Sequence, residues 1–547
     1  MQSTEIESWT LETLDAATTW GARPSIYAHV EAAVNALEEP AFLGELPLPD
    51  GAVEAESAAA GAVFGSELSV ADERLRAKQI AKAVRDLLAD SSVPNLRHLA
   101  RLLSRGPVLG VLDDVLAEVV ARGELQPDRF HRLAMFLIRE APERELVKLG
   151  IGMLGVLVGC DEREVLLTIG RHEEFTLFAA VALAATLERP QVSLWALAKG
   201  ARAWGRIHAV ERLAESLSAD PDPGELGAQT FESIRAWLVR EGYRNAVMDD
   251  YLALTCARAG RLEQALAADI VDDALLDGAA GILAALLRAG PAEHIEDYGE
   301  APQVAQAYLR HLSRRPGHRP LDLIHLLVAE QLREFIAPVG DELEDDATLR
   351  ALGWDLDCRA AVIEMAGQVV ARSEWSEQVE AGLAGEDELR FHQADAAAQL
   401  LGIDSWPHHH RRVVAEPLHS QSWFPLVHTE DAARLDVAIE LARAHLPLDA
   451  IATGPADEPG LGPEFDVHDT LLIVVHGLVD RSGKGAELLA AALRSPATRI
   501  RRGAVRVLST WGEGLGGLEP ALRAAEAIEP DRDLRSDMQT VLASSAV

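Results

Sequence analysis

Ten residues, WGRIHAVERL at 204–213, place Trp204, Arg206, His208, Glu211 and Arg212 together in a chain whose apolar content is mostly Ala, Leu and Val. Read as a helix beginning near Gly205, the stretch sets Ile207, Val210, Leu213, Ala214 and Leu217 on one apolar stripe. His208, Glu211, Arg212 and Glu215 form a polar stripe beside it. The pairs His208/Glu211 and Arg212/Glu215 are three apart and contribute only ~0.2–0.5 kcal/mol each as local contacts. Arg206 is different. Its angular position falls within the apolar stripe, and a cation in a first helical turn opposes the helix dipole, so it requires a partner.

The next hairpin, LVREGYRNAVMDDYLAL at 238–254, is the expected source of that partner. Val247, Met248, Tyr251, Leu252 and Leu254 cover most of a helix circumference and imply burial, yet Arg244, Asn245, Asp249 and Asp250 are embedded among them. Buried charges left unpaired are strongly destabilising. These groups are therefore expected to meet in a polar seam between adjacent hairpins, either as an internal ion-pair network or as the lining of a groove. Trp204, Arg206, His208, Glu211, Arg212, Tyr243, Arg244, Asn245, Asp249 and Asp250 are the candidates for contact with a partner or ligand. If the seam is a pocket, Arg206, His208, Tyr243 and Arg244 are the groups suited to an anionic ligand. No catalytic residue is assigned.

Other residue types capable of chemistry are read as structural. Histidine is dense at His408, His409, His410, His419, His428 and His445, but a helical triple cannot turn all its rings to one ion and no H-E-x-x-H is present. His468 and His476, with Asp466 and Asp469, are a further set that a divalent ion could use, and no metal is expected there or elsewhere. Cys160, Cys256 and Cys358 are widely separated, which excludes Cys-ligated zinc or iron–sulfur sites of the usual local spacing and suits a reducing compartment. GLVDRSGKG (477–485) has the wrong interval for a phosphate loop, and GEGLGG (512–517) follows a helix instead of a strand. No cofactor is expected.

The elements that must position the seam are helices. From about residue 68 the chain is a succession of helix-length segments with apolar positions at three- and four-residue steps, many opening at Asp or Pro and closing at Gly. Pairs recur loosely every forty residues, the scale of helical-hairpin solenoids. The organisation expected is a helical segment at 1–37, a flexible linker at 38–66, an irregular helical-repeat array at 67–451, a Pro/Gly-rich loop at 452–466 and further repeats at 467–547.

GAELLAAALRSPATRIRRGAVRVLSTWGEG (485–514) resembles a HEAT repeat: one helix ending near Arg494, a turn at Ser495-Pro496-Ala497, then a second helix with Ile500-Arg501 and Ala504 at the family's Val-Arg and Ala positions. The resemblance implies an all-α, HEAT/armadillo-like α-solenoid of antiparallel helix pairs with a protein-binding or scaffolding role. It also implies that Arg501 reaches backbone or acidic groups of the neighbouring unit. The strings EEFTLFAAVAL, WGRIHAVERL and YRNAVMDDYLALTCA, within 170–260, are similar to a group of bacterial helical proteins, some carrying the name limonene hydroxylase. That name implies monoterpene oxidation, which requires a redox cofactor. EPLH (416–419) has the spacing of a di-iron ligand pair, but it contains Pro and has no second copy.

Charge and hydropathy narrow the partners. The chain of 547 residues carries 51 basic and 87 acidic side chains, a net charge of −36 that repels polyphosphates, so no nucleic acid is expected despite the local HHHRR and TRIRRGAVR. The acidic start MQSTEIESWTLETLD lacks the basic and apolar regions of an export signal, and the longest apolar runs are too short to cross a bilayer. The reading is a cytoplasmic scaffold or adaptor that binds an unidentified protein partner on its concave face, with a small-molecule-binding protein or enzyme, its polar pocket between the hairpins at 204–212 and 240–250, as the alternative.

Overall fold

The computed structural model describes residues 20–36, 43, 46–51, 70–121, 126–219, 227–290, 292–315, 320–337 and 343–545. Among them are 29 α-helices and no β-strand, so the all-α expectation holds. No helix of the described residues is long and apolar enough to cross a membrane. Contacts divide the chain into two compact units, Met1–Arg372 and Ser373–Val547.

The first unit opens with α1 (Ile26–Asn35), α2 (Val70–Ala89), α3 (Val93–Leu103), α4 (Leu112–Val120), α5 (Pro127–Glu140) and α6 (Arg144–Gly155). It continues through α7 (Arg163–Ile169), α8 (Glu173–Thr186), α9 (Gln191–Lys199), α10 (Ala203–Ala219), α11 (Ala228–Trp237) and α12 (Asp250–Ala259). It ends with α13 (Leu262–Leu266), α14 (Asp273–Leu287), α15 (Ala301–Ser313), α16 (Leu323–Ile336), α17 (Leu343–Ala351) and α18 (Leu356–Val370). Alternate helices pack in a row: α6 on α8, α8 on α10, α10 on α12, α12 on α14, α14 on α16 and α16 on α18.

Sequence explains the row. α8 is apolar on nearly every side, with Phe175, Phe178, Ala179, Ala182 and Leu183 buried, and it packs against α6, α7, α9 and α10 at once. Aspartates start several helices: Asp272 accepts the backbone N–H of Leu275, and Asp355 that of Cys358. The His172 ring caps α8 and is wholly buried. Its Nδ1 accepts the Glu174 N–H at 3.2 Å, so Nε2 carries the proton and donates to the Leu46 carbonyl at 3.0 Å. Residues 46–51 of the expected linker thus lie against this unit, where Asp50 also pairs with Arg144 at 3.0 Å. The rest of that linker, apart from Leu43, and residues 1–19 of the expected N-terminal segment fall outside the described residues.

The second unit contains α19 (Trp375–Ala384), α20 (Glu388–Leu401), α21 (Trp406–Ala415), α22 (Ser420–Val427), α23 (Ala432–His445) and α24 (Leu448–Ile451). α25 (Asp466–His476), α26 (Ala486–Ala492), α27 (Thr498–Ser509), α28 (Glu519–Ile528) and α29 (Arg532–Ser544) complete it. Here α22, α25, α27 and α29 pack in series. The stretch resembling a HEAT repeat forms α26, a turn and α27, with Ile500, Ala504, Val507 and Leu508 buried and Arg502, Arg506 and Ser509 exposed. Arg501 and Glu529 are both fully buried and joined by two bonds of 2.7 Å. The remaining guanidinium donors reach the carbonyls of Ser495, Pro496 and Ala456 at 2.7–3.0 Å. Arg501 therefore ties α27 to the loop before α29 and to the Pro/Gly-rich stretch, which Glu458 also anchors by accepting the Thr498 N–H at 2.9 Å.

Two outcomes test these contacts. Arg501→Ala strands the Glu529 carboxylate in the core and is expected to cost about 3–5 kcal/mol, whereas Arg501→Met with Glu529→Leu recovers most of it; chemical denaturation of the full chain followed by circular dichroism measures both. Burial lowers the pKa of His172, with the Leu46 carbonyl and Glu174 opposing. The unfolded ring takes up its proton near pH 6.5 and the folded ring only at lower pH, so stability falls as the pH drops below about 6.5 and stops falling at the depressed folded value. Melting temperature is expected to decline less between about pH 7.5 and 5.5 in His172→Gln than in wild type.

Candidate functional site

Helix α10 carries the first half of the seam. It begins at Ala203, two residues before the expected start, which brings Trp204 into its first turn. The whole expected apolar stripe, Ile207, Val210, Leu213, Ala214 and Leu217, is buried. Trp204 packs against Tyr251 of α12 with ring centroids 5.2 Å apart. Arg206 does find its partner in the next hairpin, but the partner is a backbone carbonyl: Nη2 donates to Glu241 O at 2.7 Å, and the guanidinium lies over the Trp237 ring at 5.1 Å. Burial lowers the Arg206 pKa, with the surrounding Cys256, Glu241 and Asp249 opposing. No carboxylate among the described residues lies within ion-pair distance of it.

The second half keeps the hairpin's break after Gly242, but the second helix starts later than the apolar pattern from Tyr243 suggests. α11 passes into a π-turn at Leu238–Gly242, residues 243–249 leave helical geometry, and α12 starts at Asp250. Asn245 causes the delay. Its Oδ1 accepts the N–H groups of Val247 and Met248 at 2.9 and 2.8 Å, and its Nδ2 donates to Met248 O at 2.9 Å, so the side chain offers the backbone a turn in place of a helix. Asp249 closes the loop by accepting the Asn245 N–H at 3.0 Å; burial raises its carboxyl, opposed by that bond and by Arg244 and Arg288.

The remaining candidates are each held inside the chain. Asp250 is buried and accepts Arg288 Nη1 at 3.1 Å. Tyr243 is buried, its hydroxyl accepting Arg244 Nε at 3.1 Å; burial raises the phenol, with Arg244 opposing and Asp249 and Asp277 adding to the rise. On α10, His208 Nδ1 bonds Glu211 at 3.2 Å and Arg212 pairs with Glu215 at 2.5 Å, the two local contacts that their spacing implies. At 100° per residue Arg206 and His208 stand roughly 200° apart around the helix, on different faces. Three nitrogens of α10, Arg206 Nε, His208 Nε2 and Arg212 Nε, are buried without a hydrogen bond.

The sequence reading missed what the seam rests on. Gly278 and Gly281 of α14 face the π-turn. A Cβ on Gly278 would sit 2.2 Å from Val239 O, and one on Gly281 2.0 Å from the Tyr243 hydroxyl, so only glycine permits this approach. Beyond them, Asp277, His325 and Tyr308 form a relay. The Tyr308 hydroxyl lies 2.7 Å from His325 Nδ1, and His325 Nε2 lies 3.0 Å from Asp277 Oδ1. The carboxylate fixes the proton on Nε2, so the phenol donates to Nδ1. Tyr308 and His325 are buried, and burial holds the Tyr308 phenol well above its usual value, so the relay braces α14, α15 and α16. The dense histidines of the second unit are likewise engaged: His408 with Leu383 O at 3.0 Å, His409 with Asp395 at 2.9 Å, and His410 stacked on Trp406.

Gly281→Ala is expected to displace the Tyr243 hydroxyl and destabilise the chain by about 1–3 kcal/mol. The loss is expected to shrink in a Tyr243→Phe background, where the clashing oxygen is gone; equal losses in both backgrounds, measured as melting temperatures, would contradict the contact. Comparisons with protein-family models, curated proteins and solved structures give no match, so the chemistry of the seam carries the functional reading.

Proposed function

We propose that the first unit is a helical-repeat scaffold, a HEAT/armadillo-like α-solenoid of antiparallel helix pairs that receives a protein partner along the row from α6 to α18. Serial packing of alternate helices supports the architecture, because stacked hairpins bury their apolar faces only against neighbours. The observation that carries the binding role is Arg206, a half-buried guanidinium of α10 that has one carbonyl and one aromatic face and whose Nε is without a hydrogen bond. A buried polar group without a partner costs about 1–3 kcal/mol. A carboxylate docked on the Arg206 guanidinium offsets that cost by supplying the missing counter-charge.

Within this reading Arg206 is the anchor for a carboxylate, and the Trp237 ring beneath the guanidinium is the aromatic surface beside it. The net charge of −36 repels acidic polymers. The partner is therefore a polypeptide segment of neutral or basic overall charge with an acidic side chain at the anchor.

The test places a photo-crosslinking residue at exposed Arg202 and compares full-length wild type with Arg206→Met in native lysate. One crosslinked polypeptide is expected with wild type. A charge-assisted bond contributes about 1.5–3 kcal/mol, so its yield is expected to fall about tenfold or more in the variant, with both proteins compared well below their melting temperatures. No crosslinked polypeptide, or the same yield from both proteins, would sink the reading. Thermal stabilisation by a small anion in place of any polypeptide would favour the alternative of a ligand pocket at the same seam.

A further inference from the structure

We propose that His131, Cys160 and Glu162 form a zinc site in the first unit, apart from the seam and independent of its function. α5 supplies His131, and the turn between α6 and α7 supplies the other two. One ligand atom from each lies within 4.8 Å of the others, and His131 Nε2 is 3.0 Å from Glu162 Oε1 across 31 positions of sequence. With zinc bonded to nitrogen and oxygen at ~2.0–2.2 Å and to sulfur at ~2.3 Å, tetrahedral ligand atoms sit roughly 3.3–3.6 Å apart. The His–Glu separation is already close to that, and the thiol needs to move by about an ångström or so.

The turn is built to present these groups. Gly159, at φ 80°, donates its N–H to Thr186 O at 3.1 Å, which pins the turn to the end of α8, and the Cys160 N–H donates to Leu157 O at 3.3 Å. Asp161, which lies between the two ligands, is taken up by Arg163 through bonds of 2.8 and 2.9 Å. That leaves Glu162 facing His131. All three side chains are partly exposed, so an ion has access and a fourth coordination position opens to water. Thiolate with imidazole favours zinc over magnesium or calcium, and thiolate plus carboxylate balance a dication. On binding, the sulfur–zinc bond replaces the thiol S–H, and its proton leaves to solvent. Cys256 and Cys358 are buried, so Cys160 is the thiol that an ion or a labelling reagent reaches; burial, Glu162 and Asp161 raise its pKa, and a bound dication opposes that rise.

The experiment titrates the metal-stripped full chain with Co²⁺ as a spectroscopic probe and then with Zn²⁺. One Co²⁺ per chain is expected, with a near-ultraviolet thiolate-to-cobalt band that Zn²⁺ abolishes. Zn²⁺ is also expected to slow maleimide labelling of Cys160, read by peptide mass on the wild-type chain and so independent of any variant. Cys160→Ser is expected to remove the band, and His131→Ala to weaken Zn²⁺ binding by at least about tenfold. Saturating Co²⁺ without a thiolate band, a band that survives Cys160→Ser, or labelling indifferent to Zn²⁺ would each overturn the site.

Discussion

The backbone of the π-turn at Leu238–Gly242 is the contact on which the first unit's row depends. α11 runs into it, α12 and α14 pack on it, and α10 reaches it through Arg206. The approach of α14 is close enough that Val239 O and the Tyr243 hydroxyl occupy the space where side chains at 278 and 281 would stand. Bonding from residue i to i+5 leaves a wide, locally irregular turn, and here its carbonyl at Glu241 turns outward to a cation. A methyl group at either position has to push these atoms aside, and the strain falls on the α12–α14 contact, which adjoins the same turn.

Three buried or half-buried cations show different solutions to the same cost. Arg501 spends its donors on one carboxylate and three carbonyls, and both ends of the pair are inaccessible. Lys148 sits between Glu174 at 2.5 Å and Glu145 at 2.7 Å, and Glu145 in turn accepts the Val108 N–H at 2.5 Å. Such groups are saturated, so their energy is structural. Arg206 has a carbonyl and an aromatic face but no counter-charge, and its helix holds two further nitrogens without partners. Both saturation and burial separate the seam from the two ion-pair clusters: Arg206 is half-buried and lacks a counter-charge, whereas Arg501 and Lys148 are buried and paired.

Much of this was legible in the sequence because it is local or periodic. The stripe of α10, the pairs His208/Glu211 and Arg212/Glu215, and the reach of Arg501 follow from helical spacing and from the rule that a buried cation needs acceptors. The loop at 243–249 was not legible: Val247 and Met248 continue an apolar pattern, and the side-chain bonds of Asn245 decide against the helix. Nor were Asp277, His325 and Tyr308, or His131 with Cys160, since these groups come from separate helices and turns and meet only through tertiary packing. A one-residue pattern has no access to such meetings.

A recurring device joins the helices and explains why so acidic a chain retains its cations. The last carbonyls of a helix lack intrahelical donors, and here basic side chains of neighbouring helices cap them. Arg85 of α2 donates to Glu118 O near the end of α4, and His311 of α15 to Leu266 O at the end of α13. Arg359 of α18 reaches Ile336 O at the end of α16, His408 of α21 reaches Leu383 O near the end of α19, and Arg206 reaches Glu241 O. A long donor can cross the packed apolar interface to these carbonyls, favoured by the negative end of the dipole. A carboxylate cannot take this role, since it would face carbonyl oxygens. These five basic side chains are thus fixed by backbone geometry, whereas Arg144, Lys148 and Arg434 are fixed by carboxylates.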